Sequence, residues 1–431
     1  MVCPMPQVLI ALSVFIACYI LFVVFPRSRS VVACSGAAVL ILSGSLPWRE
    51  ALFELISWNV IGLFFGTLIL AELFLQSRMP AVLAEVLVRH TRTMRGAILA
   101  VCLLSGFLSI FVENVAVVLL VAPIALSLAE KLKINPVPLL ICISACANLQ
   151  GTATLIGDPP SMILAGYLKL TFNDFFVYHG KAGIFFAVQV GALATLAYMA
   201  FLFRRLKSPI ALIRVEKVKS WTPTVFLLIL VVGLSLTSLF DPGFKWLAGT
   251  FTLILAGFGL LWHRLLLKPR WGSTQTLIRS LDWDTTFFLI GVFVVVGALS
   301  ESGLLNQVAR FITQHLGSNL LVAYIFIIVL SVVVSAFVDN VPFLLAMIPV
   351  CQVIAQDLNA PGPLLYFGLL IGACLGGNIT PIGASANIVT LGLLKKQGHV
   401  VRFGEFMRIG IPFTLVAVPA ATLFVWWIWA P

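Results

Sequence analysis

The sequence predicts an all-α polytopic membrane protein, with about ten transmembrane helices and two re-entrant hairpins in two inverted-topology repeats. Of its 431 residues, 61% are hydrophobic and only 10% are charged, whereas a soluble domain carries about 25% charged residues. Apolar runs of about 20 residues, the length that crosses a bilayer as a helix, recur along the chain. Barrel strands would alternate polar and apolar residues, and these runs do not.

Ten apolar runs, each bounded by charges and turn residues, are the predicted spans. The first has no Lys or Arg before it and no small-x-small pattern after it, so we expect it to remain as a span rather than to be cleaved as a signal peptide. In chain order, the runs cover residues 7–25, 31–46, 55–75, 138–168, 180–203, 222–240, 246–264, 282–300, 362–394 and 408–428.

Two further runs are too long for one span and are polar at their centres. The first, 97–130, contains "FVENV" from Phe111, and the second, about 318–356, contains "FVDNV" from Phe337. We predict a re-entrant hairpin for each, with the acid–Asn pair at its tip. Non-helical backbone at membrane depth is tolerated only where protein or a water-filled cavity surrounds it, so the tips should lie inside the protein.

Motifs of the first half return in the second half. "SWNVIGLFFG" from Ser57 matches "DWDTTFFLIG" from Asp282, and "TATLIGDPPSMI" from Thr152 matches "NITPIGASANIV" from Asn378, at offsets of 225 and 226 residues. One unit of five spans plus one hairpin is therefore present twice. Because five is odd, the second copy must insert upside down, as in many secondary transporters. The predicted division is a first repeat 1–203, a cytoplasmic linker 204–220 and a second repeat 221–431.

The distribution of Lys and Arg sets the orientation of the predicted spans. With the N-terminus outside, the inside segments hold 22 of the 27 Lys and Arg residues and the outside segments keep five. This bias follows the positive-inside rule, and it holds only if both hairpins return to their own side. We therefore expect both termini outside the inner (plasma) membrane of a bacterium or archaeon. The net charge of +11 then reflects membrane topology rather than nucleic-acid binding.

Each repeat also contains an apolar run that glycine and proline interrupt. The run 138–168 contains "NLQGTATLIGDPPSMI" from Asn148, and the run 362–394 contains "GGNITPIGASANI" from Gly376. Proline lacks a backbone donor and glycine weakens a helix, so we predict a broken helix in each run. Half-helix N-termini at mid-membrane attract negative groups, and the freed carbonyls attract cations.

The hairpin tips and the two breaks should meet in one site between the repeats. An intramembrane carboxylate costs about 2.5–3.5 kcal/mol even on lenient insertion scales, so acids there indicate proton or cation handling. Alternatively, Glu113 and Asp339 only cap the helices that follow them. For Asp158, a role as the helix cap before Pro159 and a role as a direct ligand are equally supported by the sequence. Glu72, in the third span, is a secondary candidate, either for a proton path or as an ordinary buried hydrogen-bonding group. The predicted coupling groups are Glu113, Asp339 and Asp158, and the predicted substrate-binding residues are Asn114, Gln150, Thr152, Thr154, Asn340, Asn378, Thr380, Ser385 and Asn387.

Three stretches, "GTATLIGDPP", "FVDNVPFLLAMIPV" and "GGNITPIGASANIVTLGLLKKQGHVVRFGEF", resemble the ion transporter superfamily in its arsenite permease and melanocyte P protein branch. The resemblance covers essentially the whole chain. The more distant divalent anion–sodium symporters have Ser-Asn-Thr at the hairpin tips, where this chain has Glu113-Asn114-Val115 and Asp339-Asn340-Val341. The resemblance implies a scaffold domain of spans 1, 2, 6 and 7, a transport domain and alternating access. It leaves open a homodimer and association with a cytoplasmic ATPase subunit.

The first functional hypothesis is proton-coupled efflux of arsenite or antimonite, and hence arsenic resistance. Arsenite at neutral pH is an uncharged trihydroxide, and the predicted lining is rich in Asn, Thr and Ser, with no Arg or Lys at either tip or break. The alternatives are a sodium/proton antiporter, in which Glu113 and Asp339 bind cation and proton in competition, and a dicarboxylate-type anion symporter, which the acids disfavour. No HExxH or GxSxG motif indicates an enzyme. The eight scattered cysteines form no CxxC or Cys/His cluster, so we expect no cofactor, metal site or disulfide.

Overall fold

The computed structural model describes residues 5–25, 28–206, 208, 218–266, 274–317 and 319–431, so part of the predicted linker 204–220 lies outside the described residues. The described residues form twenty α-helices and one short antiparallel hairpin, β1 (Val177–Tyr178) and β2 (Lys181–Ala182). Seven of these helices are long and apolar enough to cross a membrane. The predicted class, an all-α polytopic membrane protein, is confirmed.

The first half of the chain folds into ten helices. The third is a single turn that continues as a π-helical turn over Ala51–Leu55. The helices are α1 Met5–Val24, α2 Arg29–Leu42, α3 Trp48–Glu50, α4 Trp58–Gln76, α5 Met79–Arg89, α6 Met94–Ser109, α7 Asn114–Leu132, α8 Pro136–Gly151, α9 Pro159–Leu168 and α10 Ile184–Leu202.

The second half folds into ten more helices in the same order, so each helix has a counterpart ten helices later. A 3-10 turn, Gly377–Ile379, follows the eighth of them. The helices are α11 Thr222–Phe240, α12 Leu247–Leu266, α13 Thr274–Ser280, α14 Trp283–Glu301, α15 Leu304–Leu316, α16 Leu320–Ser335, α17 Asn340–Asp357, α18 Gly362–Gly376, α19 Ser385–Lys396 and α20 Phe403–Trp429.

The corner before the fourth helix is built in the same way in both halves. The indole Nε1 of Trp58 donates to the carbonyl of Leu52 at 2.6 Å, and that of Trp283 donates to the carbonyl of Ile278 at 2.8 Å. The two tryptophans are 225 positions apart, as the motif alignment pairs them. The same local sequence thus gives the same local hydrogen bond twice.

Helices α2 and α12 each pack on a helix of the other half, α2 along α14 and α12 along α4. A Cβ at Gly291 would lie 2.5 Å from the backbone of Ala33, and one at Gly66 would lie 2.7 Å from the side chain of Thr252. Glycine therefore permits both close approaches, as small residues do between membrane helices. We call α1, α2, α4, α11, α12 and α14 the scaffold group. It contains spans 3 and 8 in addition to the spans 1, 2, 6 and 7 that the resemblance implied.

Helices α6–α10 and α16–α20 form a second bundle, which we call the transport group. Within it α6 packs on α8, α16 on α18 and α10 on α20, while α4 contacts α7 and α9, and α14 contacts α17. Helices α5 and α15 connect the two groups and were not among the predicted spans. Both are shorter than a span, and their polar residues recur at helical spacing, which is typical of helices that lie in the membrane interface.

Candidate functional site

Both predicted hairpin tips are turns between two helices, and each acid caps the helix that follows. The carboxylate of Glu113 accepts the backbone N–H of Ala116 at 3.1 Å, and that of Asp339 accepts the N–H of Val341 at 3.0 Å. Both acids thus have the helix-capping role that the sequence indicates as the alternative to proton or cation binding. A carboxylate has about four acceptor positions, so one cap bond leaves each group able to take a proton or bind a cation.

Asp158 differs from the two tip acids. It precedes α9 with extended backbone, but its side chain makes no cap hydrogen bond. The side chain is nevertheless buried, with 7% of the residue exposed. Because Asp158 is buried and caps no helix, a structural capping role does not explain its presence in this site.

Two threonines that were predicted to bind substrate join the breaks to the tips through hydrogen bonds. The hydroxyl of Thr154 donates to the carbonyl of Ile110, and the hydroxyl of Thr380 donates to the carbonyl of Ala336. Both threonines are fully buried. Each holds one break against one tip, in symmetric positions 226 residues apart.

An amide cluster lies between the two breaks and joins the repeats. Asn148 donates from Nδ2 to Oδ1 of Asn378 at 2.7 Å and of Asn387 at 3.3 Å, and its own Oδ1 accepts from Nδ2 of Asn114 at 3.3 Å. Sequence reasoning missed Asn148, because it lies in the helical part of α8 and its partner at the repeat offset is Cys374. Its side chain holds three of the predicted binding residues in one hydrogen-bonded set.

Arg29, the first residue of α2, also lies in the site. Its Nη1 is 2.7 Å from Oδ2 of Asp339 and 3.1 Å from Oγ of Ser385, its Nε is 3.1 Å from Oδ2 of Asp284, and its Nη2 is 2.7 Å from Oγ1 of Thr285. The prediction that no Arg or Lys lies at a tip or break was wrong. The sequence placed Arg29 in an inside loop, but α2 begins at this residue and its long side chain reaches the second tip.

These groups surround a small cavity of about 50 Å³, which is room for about four water-sized positions. It borders a larger cavity of about 300 Å³, and Arg29, Asp339 and Ser385 line both. The smaller cavity is lined by Arg29, Glu113, Asn114, Val115, Asn148, Asp158, Pro159, Pro160, Asp282, Thr285, Phe288, Asp339, Asn340, Val341, Gly383, Ala384, Ser385 and Ala386.

The structure brings six of the predicted site residues to the cavity wall: Glu113, Asn114, Asp158, Asp339, Asn340 and Ser385. The others have different surroundings, and Asn378 and Asn387 lie behind the wall in the amide cluster. Gln150 pairs its side-chain amide with that of Gln189 at 3.0 and 2.9 Å, and Thr152 donates to the carbonyl of Asn148 at 3.1 Å. Glu72 accepts from Gln76 at 3.0 Å near the end of α4, away from the cavity.

The charge of the lining limits what the cavity can accept. Four carboxylates line it, from Glu113, Asp158, Asp282 and Asp339, and Arg29 is the one basic side chain among the described lining residues. With all groups ionised, three negative charges are left over. Such a site favours protons, cations and neutral hydrogen-bonding solutes, and it repels a free anion.

Comparison with known proteins identifies the family. A family model described as CitMHS, citrate transporter, matches residues 19–372. The chain belongs to the CitMHS citrate transporter family. An uncharacterized transporter of Mycobacterium tuberculosis is 29% identical over 433 residues, which cover 97% of this chain and 97% of that protein.

This CitMHS chain is also similar to the melanocyte protein that the sequence resemblance indicated. The P protein of Homo sapiens is 26% identical over 500 residues, which cover 95% of this chain and 59% of that protein. The crystal structure of the Alcanivorax borkumensis YdaH transporter matches with a TM-score of 0.61 and 16% identity, covering 99% of this chain and 100% of that chain. The predicted ion transporter superfamily and fold are confirmed. The protein is an integral membrane secondary transporter for a small molecule or ion, and not an enzyme.

Proposed function

We propose that this CitMHS transporter is proton-coupled, with Glu113 and Asp339 as the groups that take up and release protons or cations. One observation carries the proposal: two carboxylates, one from each hairpin tip, face a single small cavity. Each is already held in place by a cap hydrogen bond. A change of protonation therefore changes the charge of the cavity without requiring the carboxylate to be repositioned.

Arsenite and antimonite are the first candidate substrates, exported by alternating access in exchange for protons. A neutral trihydroxide can be hydrogen-bonded by Asn114, Asn340 and the carboxylates of the cavity at little electrostatic cost. The presence of Arg29 does not oppose this, because four of its five N–H donors are already engaged by Asp284, Asp339, Thr285 and Ser385. Because arsenite carries no charge, its export against a gradient has to draw on the proton exchange.

A carboxylate anion such as citrate is the second candidate substrate. The matching family model describes citrate transporters, and Arg29 supplies one positive charge in the site. The lining has more carboxylates than basic side chains, so its net negative charge opposes the binding of an anion. An anion of charge two or three would have to enter together with protons or bound cations that compensate the lining. The sodium/proton antiporter remains a prediction in which the same two acids bind a cation.

We propose an orientation with both termini outside the inner membrane of the cell, which follows from the bias of Lys and Arg toward one face. In this orientation the hairpin of α6 and α7 enters from the cytoplasm and that of α16 and α17 from outside. A homodimer and a cytoplasmic ATPase subunit stay predictions of the resemblance.

Transport into everted membrane vesicles tests the proposal. Arsenite, citrate with and without a divalent cation, and sodium are compared with and without an imposed proton gradient, for the wild type and for Glu113→Gln and Asp339→Asn. We expect arsenite uptake that a protonophore abolishes and that either substitution reduces at least about tenfold, since each removes a titratable group and keeps most of the cap. Glu301→Gln is the matched control, because Glu301 is an exposed acid at the end of α14 that does not line the cavity, and it should retain transport.

The alternatives give different results in the same assay. Arsenite uptake that survives the protonophore would contradict proton coupling. Normal gradient-driven uptake in both tip variants would assign the acids to capping alone. Uptake of citrate only together with a cation would favour the second candidate. Dissipation of a preset pH gradient by sodium alone would favour the antiporter.

A further inference from the structure

Arg29 links the scaffold group to the transport group. It begins α2 and bonds Asp284 and Thr285 of α14, both in the scaffold group, and also Asp339 and Ser385, which lie at the second tip and the second break of the transport group. The ion pair with Asp339, at 2.7 Å, thus crosses the boundary between the two groups. A relative movement that carries the second tip away from the start of α2 has to break it.

The surroundings make this ion pair stronger than an ordinary surface pair. The side chains of Arg29 and Asp339 are 17% and 27% exposed, and partial removal from water reduces the screening of their charges. The bonds to Asp284 and Thr285 fix the guanidinium on the scaffold side. When Asp339 moves away or takes a proton, Arg29 therefore stays with the scaffold.

The equivalent junction in the other half carries no such charge. Asn59 occupies the position of Asp284, 225 residues earlier. Its Oδ1 accepts the N–H of Gly249 at 2.7 Å, and its Nδ2 donates to the carbonyl of Phe244 at 2.9 Å. These are neutral bonds within the scaffold group. Among the described residues no Lys or Arg forms an ion pair with Glu113, so the link exists at one tip only.

We propose that Arg29 is a one-sided latch, whose ion pair with Asp339 holds the transport group in the conformation seen here until a proton or cation at Asp339 releases it. The inference rests on the proposed function, in which the two groups move relative to each other and Asp339 is a coupling group. Arg29 is a positioning residue in this scheme, because it acts on the conformation through Asp339.

Several charged and titratable groups from the surrounding elements also act on Asp339 or on its partner. They decide how readily the pair opens, because each carboxylate competes for Arg29 or adds to the negative field. Besides Arg29 of α2 itself, these groups are Tyr19 of α1, Glu113 of the first tip, Asp158 of the first break, and Asp282 and Asp284 at the start of α14.

Labelling of a single cysteine tests the latch without any substrate. Ile388 lines the 300 Å³ cavity beside Arg29 and is 46% exposed, so Ile388→Cys in a cysteine-free background reports whether that cavity is open. With a membrane-impermeant maleimide added to everted vesicles, we expect Arg29→Gln to slow labelling roughly fivefold, because the conformation seen here, in which Ile388 is exposed, loses the ion pair that holds it. Arg310→Gln, at an exposed arginine of α15, is the matched control and should label like the wild type.

Two further measurements separate a latch from a merely structural role. Asp339→Asn should slow labelling as much as Arg29→Gln, and the double variant should add nothing, since both remove one interaction. Acid should slow labelling of the wild type but not of Arg29→Gln, with rates divided by those of a cysteine at Val400, which is 78% exposed. Arg29→Lys, which keeps the charge but not the forked geometry, should be intermediate and serves if Arg29→Gln does not fold.

Unchanged labelling in folded Arg29→Gln, or losses that add in the double variant, would overturn the latch. The proposed function fails separately. A chain that carries arsenite with protons but labels equally in both forms contradicts the latch alone. A chain with the expected labelling pattern and no proton-coupled transport contradicts the function alone.

Discussion

At the scale of single residues, position rather than residue type separates the acids of this transporter. Glu113 and Asp339 each accept a backbone N–H at a helix start and also face the cavity. Asp158 precedes a helix in the same way but makes no cap bond. The sequence shows an acid before each of three helices. Only the direction of each side chain tells which acids both cap a helix and face the cavity.

Asp241 shows the capping role by itself, in the loop between α11 and α12 outside the spans. Its Oδ2 accepts the N–H groups of Lys245, Trp246 and Leu247 at 2.9, 3.0 and 3.0 Å. Burial raises the pKa of Asp241, but these three donors and the charge of Lys245 outweigh burial, so the pKa lies below its ordinary value. A carboxylate with a lowered folded-state pKa stabilises the fold above its unfolded pKa, and this is lost as the pH falls through the folded value.

Asp241→Asn should therefore lower the thermal unfolding midpoint of the purified protein at pH 7, and the difference from wild type should shrink as the pH falls below about 4. The measurement is a thermal melt in detergent across that range. Asp357→Asn, at an exposed position near the end of α17, is the control and should not change the midpoint. A deficit for Asp241→Asn that is constant with pH would assign its effect to hydrogen bonding without charge.

At the scale of elements, each of the two breaks contains a glycine that a larger residue cannot replace without displacing backbone. A Cβ at Gly157 would lie 2.5 Å from the carbonyl oxygen of Gly151, and one at Gly383 would lie 2.6 Å from that of Gly377. The obstructing atoms are backbone, which cannot rotate away as a side chain does. The breaks are therefore close-packed turns, in which each chain crosses its own preceding helix end.

Gly157→Ala and Gly383→Ala should each destabilise the protein by about 1–3 kcal/mol, as overpacking of a close-packed site does, and should reduce transport because the tips shift. Gly392→Ala is the matched control in α19, where an added Cβ meets nothing within 4 Å. The control should be neutral or slightly stabilising, since alanine favours a helix over glycine. Equal unfolding midpoints for all three variants would contradict close packing at the breaks.

At the scale of the whole molecule, the two halves correspond helix by helix, and the proposed orientation rests on the bias of Lys and Arg toward one face. We predict that Ala211→Cys in the linker reacts with an impermeant reagent only from the cytoplasm, and that a cysteine added after Pro431 reacts only from outside. An odd number of spans in each half separates these two sites across the membrane. Labelling of both from one face would contradict the count of five spans per half. Labelling of each from the face opposite to that expected would reverse the orientation.

The sequence by itself determined the class, the repeat, the two tips and the two breaks of this transporter. Each of these rests on a local pattern: the length of an apolar run, an acid–Asn pair inside it, or glycine and proline that end a helix. It did not reveal α5 and α15, because short amphipathic helices lack the uniform hydrophobicity that marks a span. Nor did it reveal that Gln150 pairs with Gln189 on α10 instead of facing the cavity.

Only the tertiary structure decided which residues meet. Arg29 reaches Asp284 and Asp339 across 255 and 310 positions, and Asn148 reaches Asn378 across 230. No local pattern records such pairs, because they depend on which helix of one half packs on which helix of the other. The contact of α2 with α14 brings Arg29 beside the second tip. The close approach of Gly291 to Ala33 permits that contact, since helices in a membrane come this near where the facing residues are small.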